Sequence, residues 1–295
     1  MKNKKKTLTR SIQRPFRFLL RTLSPIFYVK CEYKHITHHK LNLNNPVRYT
    51  EKLQHLRLFE YPKNPEVIKC ASRDGVREYV KELGLEQYLI PIYGVFENFD
   101  EIDFNKLPNQ FVMKCTHACA FNKIVLDKSM LDIKKTKKQF NKWLKTNYGK
   151  KTLELHYSKI EPRIIIEKYI GDSSSLPTEY KIHVFNGKAK SLYVVTGRGK
   201  DIRYNNYYID WKEFDGSQFN GWKKTDHPLE KPQKFEKMVE IAEILGKKFP
   251  FVRVDLYNVN GQIYFSEMTF TPARGTLRLD DDKCDFEMGQ WLKIN

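Results

Sequence analysis

Residues 251–275 read FVRVDLYNVNGQIYFSEMTFTPARG, with two short apolar runs, Phe251–Val254 and Ile263–Phe265, on either side of Asn260-Gly261. An Asn-Gly pair between such runs is the usual signal of a tight hairpin turn. Asp255 closes the first run, Glu267 the second, and Thr269 follows two residues on. Side chains two apart on a strand share a face. Glu267 and Thr269 are therefore expected to point the same way, and antiparallel pairing can bring Asp255 beside them. Two converging carboxylates repel unless a positive charge sits between them, and hard oxygen donors of this kind suit Mg2+. A surface hairpin with solvated acids would show the same spacing, so the hairpin by itself leaves both readings open.

The rest of the chain bounds what such a site can serve. Its 295 residues suit two domains or one elaborated α/β domain with ample core, and 40% hydrophobic with 14% aromatic residues belong to a folded protein. The cysteines Cys31, Cys70, Cys115, Cys119 and Cys284 are odd in number and lack a framework spacing, as expected of reduced intracellular thiols. Cys115 and Cys119 lie four apart with His117 between them, and without a second pair nearby they make a poor zinc site.

The net charge of +18 is unevenly spread: residues 1–30 hold nine Lys or Arg and no acid. Phe16, Phe18, Leu19, Leu20, Leu23, Ile26 and Phe27 are interleaved with those bases. No apolar run reaches the ~20 residues that span a bilayer, and Arg14, Arg17 and Arg21 interrupt any secretory core. A basic amphipathic helix lying on an anionic membrane fits this pattern, as does a solvated tail. Nucleic-acid binding is not favoured, because nothing else in the segment matches a known module.

Helical periodicity covers Asn64–Leu83 up to Gly84, Leu131–Asn147, and Lys231–Lys248. Strands are expected at Leu89–Phe96, Phe111–Lys114, Lys123–Val125, Arg163–Ile170, Tyr180–Phe185 and Ala189–Thr196. The alternation indicates a mixed α+β or α/β architecture. Within FVMKCTHACAFNKIV (111–125), a strand ending in Lys114 leads into a small-residue loop that can fold over polyphosphate, although the Walker pattern is absent. In RIIIEKYIGDSSSLPTEYKIHVF (163–185), backbone groups after Glu167 can read the edge of an adenine, and Glu179 can accept ribose hydroxyls. An ordinary hairpin and an ordinary strand pair would explain these two stretches as well.

In order, NPVRYTEKLQHLRLF, VREYVKELG, NQFVMKCTHACAFN, HYSKIEPRIIIEKYI, FNGK and FPFVRVDLYNVNGQIYFSEMTFTP resemble the TupA-like branch of the ATP-grasp superfamily. That branch serves bacterial surface-polysaccharide synthesis. The resemblance runs from about Asn42 to Ile294. It implies an α+β fold in which two α+β subdomains clasp ATP behind a small N-terminal region. The corresponding division is a basic N-terminal segment at 1–41, the candidate for membrane association, followed by a pre-ATP-grasp region at 42–107, a lid subdomain at 108–170, and a C-terminal subdomain with the metal site at 171–295.

The same resemblance assigns Lys114 to the phosphates of ATP beneath the loop Thr116–Asn122. Glu167, Tyr169 and Ile170 would line the adenine, Glu179 would hold the ribose, and Arg73 would touch the nucleotide. Asp255 and Glu267 would bind Mg2+, with Thr269 at the third ligand position and Arg253 stabilising the transferring phosphoryl group. Lys181 and Arg198 would meet phosphate or substrate, and Arg274 is a further substrate candidate. Two departures stand out. His117-Ala118-Cys119-Ala120 replaces a glycine-richer loop, which makes it stiffer, and Thr269 replaces an asparagine, which weakens a second metal.

The implied chemistry is carboxylate activation: γ-phosphoryl transfer gives an acyl phosphate, and an amine attacks it to form an amide. Such transfer relies on positioning and charge neutralisation, consistent with the lack of a Ser/His/Asp or Cys/His set. The expected partners are an amino acid and a nucleotide-linked or lipid-linked sugar, in the cytoplasm or at the inner face of the membrane. A sugar kinase, a glycosyltransferase and a non-catalytic assembly component are the competing readings. Asp255→Asn and Glu267→Gln are each expected to abolish turnover while leaving the fold intact.

Overall fold

In the computed structural model, residues 19–171, 176–215, 223–277 and 282–294 are described. The basic residues from Lys2 to Arg17, on which much of the reading of residues 1–30 rests, lie outside them. Helices α1 (Pro25–Thr37), α2 (Tyr49–His55), α3 (Pro65–Ala71), α4 (Gly75–Glu82), α5 (Ile133–Leu144), α6 (Tyr148–Thr152), α7 (Phe235–Gly246) and α8 (Asp282–Trp291) accompany two antiparallel sheets. Among the described residues no helix is long and apolar enough to cross a membrane.

The smaller sheet has the order β1-β4-β2-β3, from β1 (Ile92–Phe96), β2 (Phe111–Cys115), β3 (Asn122–Val125) and β4 (Ile164–Lys168). Its edge strand β1 lies upstream of residue 108 and pairs antiparallel with β4. Period-2 alternation sorts the two central strands. Phe111, Met113 and Cys115, with Ile164 and Ile166, enter a core completed by Phe140 of α5. Lys114 and Glu167 fall on the opposite face.

The larger sheet has the order β10-β9-β5-β6-β7-β8, built from β5 (Glu179–Phe185), β6 (Lys188–Thr196), β7 (Arg203–Tyr208), β8 (Glu213–Phe214), β9 (Phe251–Val259) and β10 (Gln262–Thr269). Phe235, Met238, Ile241, Ala242 and Leu245 recur at helical spacing along α7 and join Ile182, Val184, Val252, Val254 and Leu256 in the main core. The fit is close: a Cβ on Gly246 would come within 2.5 Å of the Val184 side chain. The expected hairpin turn forms with Asn260 at φ 52° and Gly261 at φ 80°, the two positive values a tight two-residue loop requires.

One expected helix is broken. The periodicity of Asn64–Leu83 is continuous, yet α3 stops at Ala71 and α4 starts at Gly75. Asp74 accepts from the amide of Gly75 and pairs with Arg163 at 3.2 Å, while the amide of Arg73 donates to the carbonyl of Thr116 at 3.2 Å. These contacts satisfy the break from outside the helix, which periodicity cannot register. Gly84, at φ 69°, ends α4 as expected.

Candidate active site

The polar faces of the two sheets enclose a cavity of about 450 Å³. From the smaller sheet it receives Lys114 and Glu167, followed by Tyr169 and Ile170 just past β4. From the larger sheet come Glu179, Lys181 and Glu267, with Arg198 from the loop after β6 and Arg73 from the helix break. Ile90, Val112, Ile124 and Ile202 supply apolar walls. Nine residues singled out in the sequence thus converge on one space from three regions of the chain.

On the smaller-sheet wall, the register sets Val112 opposite Glu167 and Lys114 opposite Ile165. Lys114 and Glu167 are therefore diagonal neighbours on one face, and they form a buried ion pair. Beyond Lys114, the hydroxyl of Thr116 donates to the carbonyl of Glu161 (2.8 Å) and accepts from the amide of Arg163 (2.9 Å). Ala120 adopts φ 62°, a left-handed conformation normally left to glycine. The glycine-poor loop is thus accommodated by strain at one alanine. His117 does not line the cavity: its Nε2 lies 3.3 Å and 3.2 Å from the carbonyls of Trp143 and Thr146.

The larger-sheet wall is a charge network. Pairing aligns Lys181 with Asp255 across β5 and β9, and Asp255 with Glu267 and Arg253 with Thr269 across β9 and β10. Arg253 donates from Nε to Oδ1 of Asp255 (2.6 Å) and from Nη2 to Oδ2 (2.7 Å), in a two-pronged contact. Its Nη2 also reaches Thr269 Oγ1 (2.9 Å) and Glu267 Oε1 (3.4 Å), and its Nη1 donates to the Tyr193 hydroxyl (2.8 Å). Lys181 pairs with both Asp255 and Glu179, and Arg198 Nη2 donates to Glu179 at 2.8 Å. Arg73 meets the outer oxygen of Glu267 at 3.1 Å.

A bulge makes this wall possible. Ile263 and Phe265 face the core, so strict alternation would send Glu267 there too. The register shifts between Phe265 and Glu267, leaving Ser266 as the extra residue. After it, Met268 and Phe270 take the core positions while Glu267 and Thr269 turn to the polar face.

Burial and charge then act in opposition. Burial alone would raise the Glu267 carboxyl, but Arg73, Lys181 and Arg253 together hold it well below the usual carboxylate range. Burial pushes the Asp255 carboxyl up against the pull of Arg253 and Lys181. The His183 imidazole behind Arg253 is pushed down to about 3 by burial and by the same two cations.

The expected metal ligands are hard oxygens, which fit Mg2+ in kind. Their access differs. Glu267 keeps 26% of its side chain exposed and lines the cavity, whereas Asp255 keeps 1% and is enclosed by Arg253 and Lys181. Among the described residues no cluster of three or more His, Cys, Asp or Glu side chains is placed to hold a metal. Glu267 is therefore the donor presented to the cavity, with Asp255 and Thr269 behind it.

Arg253, Asp255 and Thr269 join the site only through this network, since none of them lines the cavity. Arg274 stands apart: it lies outside the lining and pairs with Glu32 at 3.1 Å, while its own carbonyl accepts from Gln54 and Arg57. Sequence reasoning missed Tyr193 and His183. Both lie on the same sheet face, Tyr193 in register with Lys181 and His183 with Arg253, so strand parity could have found them once the pairing was known.

The TupA-like ATPgrasp family matches residues 51–293. No curated protein matches the chain. Among solved structures, it is similar to a D-alanine–D-alanine ligase from Bacillus anthracis complexed with ATP, at 15% identity and TM-score 0.44 over 68% of this chain and 55% of that one. It is also similar to the D-alanine–D-alanine ligase from Helicobacter pylori, at 15% identity and TM-score 0.45 over 83% and 69% of the two chains. An L-amino acid ligase from Bacillus licheniformis gives 12% identity and TM-score 0.41 over 71% and 42%. The chain thus spans little more than half the length of the Bacillus anthracis ligase. The family match covers most of the sequence and includes both sheets that wall the cavity, and the chain belongs to the TupA-like ATP-grasp family, with the α+β fold that name denotes.

Proposed function

We propose that the protein is an ATP-dependent ligase that activates a carboxylate and joins it to an amine, linking an amino acid to a uronic acid or amino sugar of a surface polysaccharide. The observation that carries this reading is the single cavity lined by Lys114, Glu167, Glu179, Lys181, Arg198 and Glu267. Its apolar walls and hinge residues suit a purine, and its cations suit phosphates. Lys114 would neutralise phosphate charge, Glu179 would accept ribose hydroxyls, and Tyr169 and Ile170 would border the base. Arg253 has its guanidinium fixed by Asp255, Thr269 and Tyr193 behind the cavity lining, so it would act on developing phosphoryl charge through its field and by holding Glu267, not by direct contact. Glu267 would hold Mg2+, backed by Asp255 and Thr269. When bound, that ion would neutralise and align the phosphate oxygens.

None of these residues needs to act as a nucleophile, which agrees with an acyl phosphate formed on the substrate itself. The test is incubation with Mg-ATP, pooled amino acids and candidate nucleotide sugars, followed by mass spectrometry. ADP together with an amide-linked aminoacyl sugar supports the ligase. ADP with a phosphoester identifies a kinase, and no ADP across a broad panel removes the enzymatic reading.

A further inference from the structure

Glu267 is the carboxylate that the larger sheet presents to the cavity, and three cations converge on it. Arg73 Nη1 lies 3.1 Å from its outer oxygen, Arg253 Nη2 lies 3.4 Å from the inner one, and the charge of Lys181 acts on it as well. Two of the three are committed elsewhere. Arg253 is held by both oxygens of Asp255, by Thr269 and by Tyr193, and it does not line the cavity. Lys181 pairs with both Asp255 and Glu179.

Arg73 differs from both. It lines the cavity, and among the described residues Glu267 is the one carboxylate within ion-pair reach of it. Its Nε is buried with no hydrogen-bond partner among those residues. An unmet buried donor is costly, so this side chain has the most to gain from a new acceptor. Its backbone also places it well. The amide of Arg73 donates to the carbonyl of Thr116, where the loop over the cavity begins, and Cys119, Ala120 and Asn122 of that loop share the lining with Arg73 and Glu267.

Charge decides what can enter. The lining carries five lysine and arginine side chains against three carboxylates, while Arg253 and Asp255 cancel behind it. A bare divalent cation meets a space that is already net positive, and it must compete with Arg73 for Glu267. A polyphosphate brings the oxygen acceptors that a guanidinium binds best, and its negative charge favours a cation in turn.

We propose that Arg73 is an exchangeable counter-ion of Glu267: it holds the carboxylate against divalent cations arriving alone, and it passes to the phosphate oxygens of a nucleotide, which frees Glu267 for the metal. Metal and nucleotide then enter together, and Arg73 sets that order. The proposal rests on the nucleotide reading of the cavity and adds to it a role for one side chain.

The test uses the full chain with Mn2+ as a paramagnetic probe for Mg2+, free Mn2+ being read from its EPR signal, and with ADP binding measured separately by equilibrium dialysis in Mg2+. Without nucleotide, Arg73→Gln should tighten Mn2+ binding by about tenfold, because one competing cation is gone. The same variant should weaken ADP binding by about tenfold through the lost phosphate contact. Damage to the fold would weaken both, so shifts of opposite sign are the signature. Arg73→Lys should keep the wild-type response to Mn2+, and Arg73→Gln/Glu267→Gln should lose the gain, which assigns it to that carboxylate. Mn2+ binding in Arg73→Gln that is no tighter than in the wild type overturns the proposal. So does a gain that survives in the double variant, or ADP binding that Arg73→Gln leaves unchanged. A wild-type chain that binds no ADP removes the nucleotide reading itself, and the exchange falls with it.

Discussion

The two walls of the cleft carry the same kinds of charge in different arrangements. On the smaller sheet a single pair, Lys114 with Glu167, stands on an apolar layer of Met113, Ile164 and Ile166. Against the larger sheet four cations, Lys181 and Arg253 from its strands, Arg198 from the loop after β6 and Arg73 from the helix break, are interlocked with three carboxylates, Glu179, Asp255 and Glu267. Lys114 and Glu167 both reach the cavity, where water or a ligand can replace a lost partner. Asp255 does not reach it, and its neutralisation comes entirely from protein groups. The smaller-sheet wall can therefore exchange its contacts, while the larger-sheet wall is preorganised and intolerant of a missing member.

The sharpest way to break this contrast is Asp255→Asn. Removing the central carboxylate leaves Arg253 and Lys181 buried together with only Glu267 and Glu179 to neutralise them from the side, and a loss of about 3–5 kcal/mol is expected, read from the denaturation midpoint. The buried network thus gives a reason to expect a cost to the fold that the sequence-based expectation did not include. Glu267→Gln is milder: a quarter of that side chain is exposed, so about 1–2 kcal/mol is expected, along with loss of ATP turnover. Equal stability of the two variants would show that access to the cavity does not set the cost of losing a carboxylate within the larger-sheet wall.

Next in size is Lys114→Met. It should raise the KM for ATP by about tenfold, with a stability change of about 1–2 kcal/mol, because Glu167 can turn to water in the cavity. A loss as large as that of Asp255→Asn would show that the smaller-sheet wall is as closed as the other.

Acid sensitivity offers a third comparison. Burial holds the imidazoles of His156 and His183 down to about 3, so both are neutral in the folded protein at moderate acidity. The unfolded chain takes up these protons from about pH 6.5 downward, so stability should fall between pH 6.5 and 3 by about 1.4 kcal/mol per pH unit for each ring. Neither ring nitrogen of His156 has a hydrogen-bond partner. His156→Phe should therefore be tolerated and should flatten the slope by one ring's share. An unchanged slope would move the acid response elsewhere. The smallest expected effect is at the loop: Ala120→Gly should stabilise the protein by about 1 kcal/mol by relieving the left-handed backbone, measured as a rise in melting temperature.

Much of the larger-sheet wall was legible before any coordinates. The Asn260-Gly261 turn fixes the hairpin locally, and parity puts Arg253 and Asp255 on one face. The change of parity from Ile263 and Phe265 to Met268 and Phe270 is also written in the chain, and it announces the bulge that turns Glu267 outward. Arg73 was harder to read. The apolar rhythm of Asn64–Leu83 runs through it, and the break there is held by the Asp74 cap on Gly75 together with contacts to Thr116 and Arg163 from another part of the chain. Arg274 was misleading because it follows the hairpin closely in sequence. At φ 59° it turns away from the cavity toward Glu32.

Within the sequence, the order of the motifs carried the resemblance to the family, and local periodicity and turn chemistry by themselves determined the Asn260-Gly261 hairpin and the shared face of Arg253 and Asp255. The tertiary structure decided which charges are partners and which remain open to a ligand. That Asp255 is sealed by Arg253 and Lys181 while Glu267 faces the cavity depends on how β5, β9 and β10 align and on how far each side chain lies from water. Coulomb energy and desolvation both vary with distance and burial, and neither quantity exists until the strands are side by side.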